Sequence, residues 1–545
     1  MKKSVAYTLA VFFLSINLLA AQNATISINS IGFKPQAVKK ASVAGEANEF
    51  VIKRADDKSI VFEGKLSAPV FQKDVNQNVS LADFSSLNKV GKYFIELPDG
   101  SKSALFEISK TAYDQAFYTS MRAFYLWRCG TAVAGDYSGK KYSHEACHLN
   151  DGYEDFQGKP DVKRDGTGGW HDAGDYGKYV VNAGITVGMM FLAWENFQDK
   201  LKNFKLDLPE TATGYPDYLK ELKWETDWLF TMQYTDGSGK VSHKLTRKSF
   251  EPFCKPEDDK EKRYFTDWSS AATADFVGMM AQAARYFMPY DKVYAQKCLN
   301  AAKISYNFLK ANPEDKVFVQ GEFVTGGYQT EDKDDRLWAA AEMWETTGDR
   351  EYLADFEKRA TEQNGEIDED WDWQDVSNLG MFTYALSKKQ GKNPELDKQI
   401  KKNIVNVANL IAFKCESDVY GRPSTKYYWG CNGTMAREVI NLQVANKIAP
   451  NKNYMQAAQG VIGHLFGRNF YNRSYVTGLG INPPMNPHDR RSASDSVKEP
   501  WPGYLVGGGH TATGWNDQTE DYRTNEIAIN WQGALVYALA GFIEE

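Results

Sequence analysis

The sequence predicts a multidomain chain: an all-β, immunoglobulin-like sandwich followed by an all-α domain of paired helices closed into a toroid. Two textures carry that expectation. From Thr25 to Ser109 short runs of strand formers alternate with polar residues, whereas from Thr111 onward the apolar residues recur at three- and four-residue steps. Length is the third observation, because 545 residues exceed what one small core organises.

The first segment, residues 1–21, reads as a signal peptide. Lys2 and Lys3 precede an apolar run from Val5 to Ala21 that ends in small residues. The run is short for a membrane anchor, carries Ser15 and Asn17, and is closed by no cysteine. No later stretch has spanning length, so the mature protein is expected to be exported, periplasmic or extracellular, with no membrane span. Composition agrees with a folded chain: 42% hydrophobic and 25% charged residues leave no room for disorder. A formal net charge of −7 lacks the basic stripe of a nucleic-acid binder. Aromatic residues reach 14%, which serves a large core or a stacking surface for sugar rings.

Residues 22–109 form the expected sandwich. "TISINSIGF", "KKASVAGE", "EFVIKRADDKSIVFEGKL" and "GKYFIELPDGSKSALFEIS" are strands, with turns at Ala55-Asp56-Asp57-Lys58 and Pro98-Asp99-Gly100. No cluster of His, Cys and acids lies there, so its role is support. Residues 110–545 hold twelve helical segments: Ala112–Arg128, Tyr179–Phe197, Tyr215–Met232, Ala271–Phe287, Tyr290–Ala311, Asp335–Thr347, Glu351–Thr361, Val376–Lys389, Glu395–Phe413, Thr434–Ile448, Tyr454–Phe466 and Glu526–Glu544. The intervening stretches are long and rich in Gly, Pro and Asp, which marks functional loops.

Three of those stretches carry chemistry. "GGWHDAGDYGKY", residues 168–179, sets Asp172 and Asp175 three positions apart behind His171. Two acids so close need water, a cation or a hydroxyl between them. They read as a general base with a partner that orients its water, or as a calcium loop or helix caps. "GWNDQTEDYRTNEIAINWQGALVYALA", residues 514–540, places Glu526 at the start of an apolar helix after Asp517, Asp521 and Tyr522. A carboxyl among other acids and aromatic rings keeps its proton, as a donor must, while a first-turn Glu also suits a helix dipole. "YVTGLGINPPMNPHDRRS", residues 475–492, offers His488 and Arg490 as donors to hydroxyl groups, or is a surface loop.

Together these stretches resemble glycoside hydrolase family 9, the cellulase family with an inverting mechanism. "WHDAGDYGKY" is similar to its base motif, "YVTGLGINPPMNPHDR" to its histidine signature, and "WNDQTEDYRTNEIA" to its acid signature, including the nine-residue step from Asp517 to Glu526. The N-terminal segment resembles the immunoglobulin-like module of one branch. The resemblance implies an (α/α)6 barrel with Asp175 as base, Asp172 holding the attacking water and Glu526 as acid. It groups Asp517 with these catalytic acids, and it implies that His488, Arg490 and Asp517 bind the sugar nearest the cut or tune the acid. Inversion implies about 6.5–9.5 Å between base and acid. Asp489 stands where the family often has a second histidine, Gln532-Gly533 where Asn and a small residue are usual, and Gly509-His510 where Pro-Asn is common.

The six cysteines, at 129, 147, 254, 298, 415 and 431, could form disulfides in an exported protein. Cys129, Cys147, His148 and His171 also make a closed zinc set, which some members of the resembled branch carry, against the alternative of a Cys129–Cys147 disulfide. Zinc there would make His171 scaffold rather than proton carrier. Thr330, Asp332 and Asp335 are hard oxygen ligands for calcium, completed by Asp372 or Asp375, where family members often bind it; helix capping by Asp334 or Asp335 is the alternative. Tyr428 and Trp429 in "KYYWGCNG", with Tyr522, are expected to stack on sugar, and Trp501 and Trp515 are further options.

The function expected is an exported endo-β-1,4-glucanase acting on β-glucan polysaccharide or oligosaccharide. The alternatives are an exo-acting cellodextrinase or glucosaminidase, an endo-xyloglucanase or a mixed-linkage glucanase. A non-catalytic carbohydrate-binding protein has the joint presence of Asp172, Asp175 and Glu526 against it. The sequence ends just after its last helix with no cellulose-binding module, so soluble or branched glucans are expected over crystalline cellulose.

Overall fold

The structure is a computed structural model describing residues 24–210 and 214–544. The leader expected at residues 1–21 lies outside the described residues. Two antiparallel four-stranded sheets face each other at the N-terminus. One has the order β1 (Thr25–Ser27), β2 (Lys40–Ala44), β6 (Gln77–Asp83), β5 (Val70–Gln72). The other runs β4 (Ile60–Lys65), β3 (Glu49–Arg54), β7 (Gly91–Glu96), β8 (Phe106–Ile108). Alternation explains the pairing, since Ala41, Val43, Phe50, Ile52, Tyr93 and Ile95 all point into one core. Phe33, Phe84 and Phe106 close it with ring centroids 5.3–5.7 Å apart.

Twelve long helices follow among the described residues: α1 (Asp114–Leu126), α2 (Val180–Leu201), α3 (Asp217–Met232), α4 (Ser270–Phe287), α5 (Lys292–Ala311), α6 (Lys333–Thr347), α7 (Arg350–Glu362), α8 (Ser377–Leu386), α9 (Pro394–Ser417), α10 (Cys431–Ile448), α11 (Lys452–Leu465) and α12 (Ile529–Ala540). The even-numbered helices pack in a closed ring, α2 on α4, α4 on α6, α6 on α8, α8 on α10, α10 on α12, and α12 back on α2. The odd-numbered helices lie outside. This is the (α/α)6 arrangement.

Composition decides which helix goes where. α2 is buried without interruption from Val180 to Trp194, as an inner helix must be. α9 buries only the stripe Leu396, Ile400, Ile404, Ala408, Ile411 and Cys415, the pattern of an outer helix with one face to solvent. Its start is set locally: Pro394 follows Asn393, whose side chain accepts from the backbone N–H of Glu395 and Leu396. Trp338 of α6 fills the middle of the ring, against Gly188 of α2, Gly278 of α4 and Gly380 of α8, where a Cβ would come within about 3 Å of it. Its indole N–H donates to Glu342 Oε1 at 3.1 Å.

Between the helices lie a hairpin, β9 (Val133–Tyr137) with β10 (Lys140–His144), and a small sheet of β11 (Lys178–Tyr179), β12 (Lys244–Thr246) and β13 (Tyr264–Phe265). No helix among the described residues is long and apolar enough to cross a membrane. The last helix begins at Ile529, not at Glu526, because residues 526–528 are extended and pair with neighbouring segments.

The sandwich is bonded to the barrel through buried polar groups. Arg468 Nε donates to Ser42 Oγ at 3.0 Å and Nη2 to the Val419 carbonyl at 2.8 Å, while Ser42 Oγ donates to the same carbonyl at 2.5 Å. Ser30 Oγ donates to the Phe466 carbonyl at 2.5 Å. Arg468→Ala is expected to cost about 3 kcal/mol, the sum of two charge-assisted bonds inside a buried seam. Calorimetry should then resolve the single unfolding transition into two.

Candidate active site

Residues 168–179 form a loop held from every side. The Trp170 N–H donates to Glu225 Oε2 at 2.7 Å and its indole to Glu221 Oε1 at 2.9 Å, both acids on α3. Trp127, at the end of α1, donates its indole N–H to the Ala173 carbonyl and accepts from the His171 N–H. On the far side Ala173 pairs with Ala528, and the Ile529 N–H donates to the Asp172 carbonyl at 2.9 Å. Gly174 packs against the next loop so closely that a Cβ there would lie 2.2 Å from the His488 carbonyl oxygen.

This clamp presents two acids. Asp172 accepts from Asn182 Nδ2 at 2.8 Å and from the Tyr328 hydroxyl at 2.7 Å. Burial, then the charge of Asp175, pushes its pKa up to about 8. Asp175 accepts on one oxygen only, Oδ2, from the Gly177 N–H at 3.0 Å and the Tyr179 hydroxyl at 2.9 Å. Glu526 arrives on the extended segment before α12, paired in parallel with His488, its carbonyl accepting from the Gly507 N–H. Burial, reinforced by Asp175 and Asp172, holds its carboxyl well above the usual range. Asp172, Asp175 and Glu526 line one cavity of about 580 Å³, together with Tyr179, Tyr328, Trp373, Tyr428, Trp429 and Trp531.

A paired aspartate loop and a proton-holding glutamate on one sugar-sized, aromatic-walled cavity fit the comparison with known proteins. Residues 113–539 match the model of glycosyl hydrolase family 9, and residues 21–103 match the cellulase N-terminal ig-like domain. The chain belongs to glycosyl hydrolase family 9. It is 55% identical to Endoglucanase D of Acetivibrio thermocellus over 95% of this chain and 83% of that protein. A metagenome-derived family 9 endoglucanase superimposes with a TM-score of 0.89 at 32% identity, covering 96% of this chain and 99% of that one. A Zn-binding triple mutant of the family 9 endoglucanase J30 gives a TM-score of 0.88 at 29% identity, covering 94% and 99%.

Other residues expected at this family 9 site divide into two groups. Tyr428 and Trp429 line the cavity, and Tyr522 meets Trp429 edge-on at 5.4 Å, with both outer rings exposed. His488 donates through Nδ1 to the Thr519 carbonyl at 2.7 Å, which leaves Nε2 unprotonated, and burial lowers its pKa. Arg490 and Asp517, by contrast, are committed to protein. Arg490 bonds the Glu251 carboxylate at 3.0 Å and the Gly174 carbonyl at 2.8 Å. Asp517 accepts from the N–H groups of Met485 and Asn486 and pairs with Arg473 at 2.6 Å, so it braces the histidine loop. Trp501 and Trp515 are buried packing. Asp489 caps the short helix 490–494 and pairs with Arg491, and Gln532 bonds the backbone of Ser120, Gly503 and Leu505, so both serve packing.

Cys129, Cys147, His148 and His171 do come together. All six cysteines are free, which removes the Cys129–Cys147 disulfide. The four donor atoms lie within 4.8 Å of one another, with Cys129 Sγ to His148 Nδ1 at 3.5 Å, Cys147 Sγ to His171 Nε2 at 3.8 Å and the two ring nitrogens at 3.4 Å. Tetrahedral bonds of about 2.0–2.3 Å to one metal set donors about 3.3–3.8 Å apart. Asp259 Oδ2 lies 3.2 Å from His148 Nε2 and fixes that ring, a partner 111 residues away that no local motif announces.

The second metal set does not converge. Asp332 Oδ2 is bonded to Arg336 Nε at 2.7 Å, Thr330 donates to the Gln374 carbonyl, and Asp335 points into the barrel against Asp275. Helical phase is the reason: one position along α6 turns Asp335 inward and Asp334 toward Asp375, whose charge, after burial, raises the Asp334 pKa to about 7. Gly174→Ala is expected to displace the His488 loop and with it the reacting groups, cutting kcat about a hundredfold while the chain stays folded, as steady-state hydrolysis and circular dichroism would read.

Proposed function

We propose that this family 9 hydrolase is an exported endo-β-1,4-glucanase that inverts the anomeric centre. The observation that carries the reading is the shared cavity of Asp175 and Glu526, two carboxyls with opposite tasks. Asp175 Oδ2 is occupied by two donors, so Oδ1 is the oxygen that takes a proton from water. Asp172, fixed by Asn182 and Tyr328, holds that water in line. Glu526 keeps its proton until the glycosidic oxygen accepts it, so bond cleavage and water attack proceed together from two sides of the sugar. Tyr428, Trp429 and Tyr522 offer faces to the C–H surfaces of glucose, and His488 Nε2 offers an acceptor to a hydroxyl. The similarity to an endoglucanase favours internal cleavage over release of units from a chain end.

The thiolate and imidazole donors of Cys129, Cys147, His148 and His171 suit zinc, which would neutralise the two thiolates and fix the ring that precedes Asp172. Its role is structural, since all four donors are protein atoms. Calcium, if bound near α6, would be held by Asp334 and Asp375, where a hard cation relieves the repulsion between them.

Because its pKa is raised, Glu526 stays protonated above the ordinary carboxyl range and loses its proton as pH rises further. kcat/KM should therefore fall on the alkaline side, and Glu526→Gln should remove that limb along with about a thousandfold of activity. Asp175→Asn should cost a similar factor. NMR of the first product should show inverted configuration, and retention would overturn the mechanism. Metal analysis should find one zinc per chain. Cys129→Ser or chelation should release it and lower Tm by about 10 °C.

A further inference from the structure

The base has a lysine behind it that the reaction scheme above does not use. Lys244 lies on β12 directly opposite Tyr179 of β11, and the Val180 N–H donates to the carbonyl of its neighbour His243. The residue is 0% exposed. Its ammonium donates to Gln320 Oε1 at 2.7 Å, Thr325 Oγ1 at 3.1 Å and the Gly326 carbonyl at 2.7 Å, all neutral acceptors. Among the described residues it makes no ion pair with a carboxylate. The rings of Phe323, Phe318 and Tyr179 surround it at 5.0, 5.3 and 5.7 Å. Burial lowers its pKa to about 7, opposed only by the charge of Asp175. For stability alone an apolar chain of the same length would serve better than an unpaired buried cation.

What the cation holds leads to the base. Gly326, gripped at its carbonyl, donates its N–H to the Tyr179 hydroxyl oxygen at 3.1 Å. With that acceptor site filled, the hydroxyl proton of Tyr179 goes to Asp175 Oδ2, 2.9 Å away. The groups facing Asp175 are otherwise acidic or already committed. Asp172, Glu251 and Glu526 share its sign, Arg490 is paired with Glu251, His488 has a lowered pKa, and Tyr179 and Tyr328 stay neutral.

We propose that Lys244 is a positioning residue for the base: through Gly326 and Tyr179 it fixes which oxygen of Asp175 faces water. This rests on the reading of Asp175 as base.

Two variants test the chain. Lys244→Met removes the anchor and should lower kcat on soluble cello-oligosaccharides about tenfold with KM changed less than twofold. Tyr179→Phe breaks the same chain one step later, so the double variant should lose no more than the worse single variant. A folded Lys244→Met enzyme with wild-type kcat would overturn the proposal, as would losses that simply multiply in the double variant. Asp175→Asn separates the layers: wild-type turnover in that variant removes the base assignment itself, whereas an inactive variant beside a Lys244→Met enzyme with full kcat removes only the role of Lys244.

Discussion

The structure depends on keeping three carboxyls close together out of bulk water without letting them drift apart. Like charges at the wall of a cavity repel, and burial makes each costlier to ionise. The fold answers with backbone rather than with counter-charge: Asp172 and Asp175 ride on a loop clamped by Glu221 and Glu225 from α3, by Trp127 from α1 and by the strand before α12. Arg490 neutralises Glu251, one step behind the acids, and so lets the loop turn without adding a cation to the cavity itself. The Cys and His cluster lies at the other end of the same loop, with His171 as its last member before Asp172.

Much of this was legible before any coordinates. All twelve long helices fall where the apolar period put them, because inner helices need apolar residues on every face and outer helices need one stripe. The acids of the site were legible less from their spacing, which also suits a calcium loop or helix caps, than from the resemblance of the two stretches that carry them to the family's base and acid motifs. Reading stopped where the outcome depends on a partner distant in sequence: Arg490 is held by Glu251 and Gly174, and Asp517 by Met485 and Arg473. Asp335 failed for a different reason: in a run of acids at a helix start, a turn of one residue decides between solvent and core. Tyr328, Trp373 and Trp531 line the cavity but were missed, since a single aromatic on a loop or in an apolar helix carries no local signal.

Glu526 shows how a small error in local structure changes the chemistry inferred. Placed on a helix, it reads as a residue that complements the helix dipole. Placed three residues earlier, on an extended segment paired with His488, it is instead fixed on both flanks and pointed at the cavity. The same extended segment supplies Ala528 to the aspartate loop, so acid and base are parts of one hydrogen-bonded unit although they come from opposite ends of the catalytic domain.

The cavity residues also share an address. Asp172 and Asp175 precede α2, Tyr328 precedes α6, Trp373 precedes α8, Tyr428 and Trp429 precede α10, and Glu526 precedes α12. Each of these sits on a connection entering an inner helix, and Trp531 lies in the first turn of α12 itself. Lengthening, trimming or exchanging such a connection alters the groove without touching the ring that bears the load, so substrate range can be retailored one segment at a time while the barrel stays as it is.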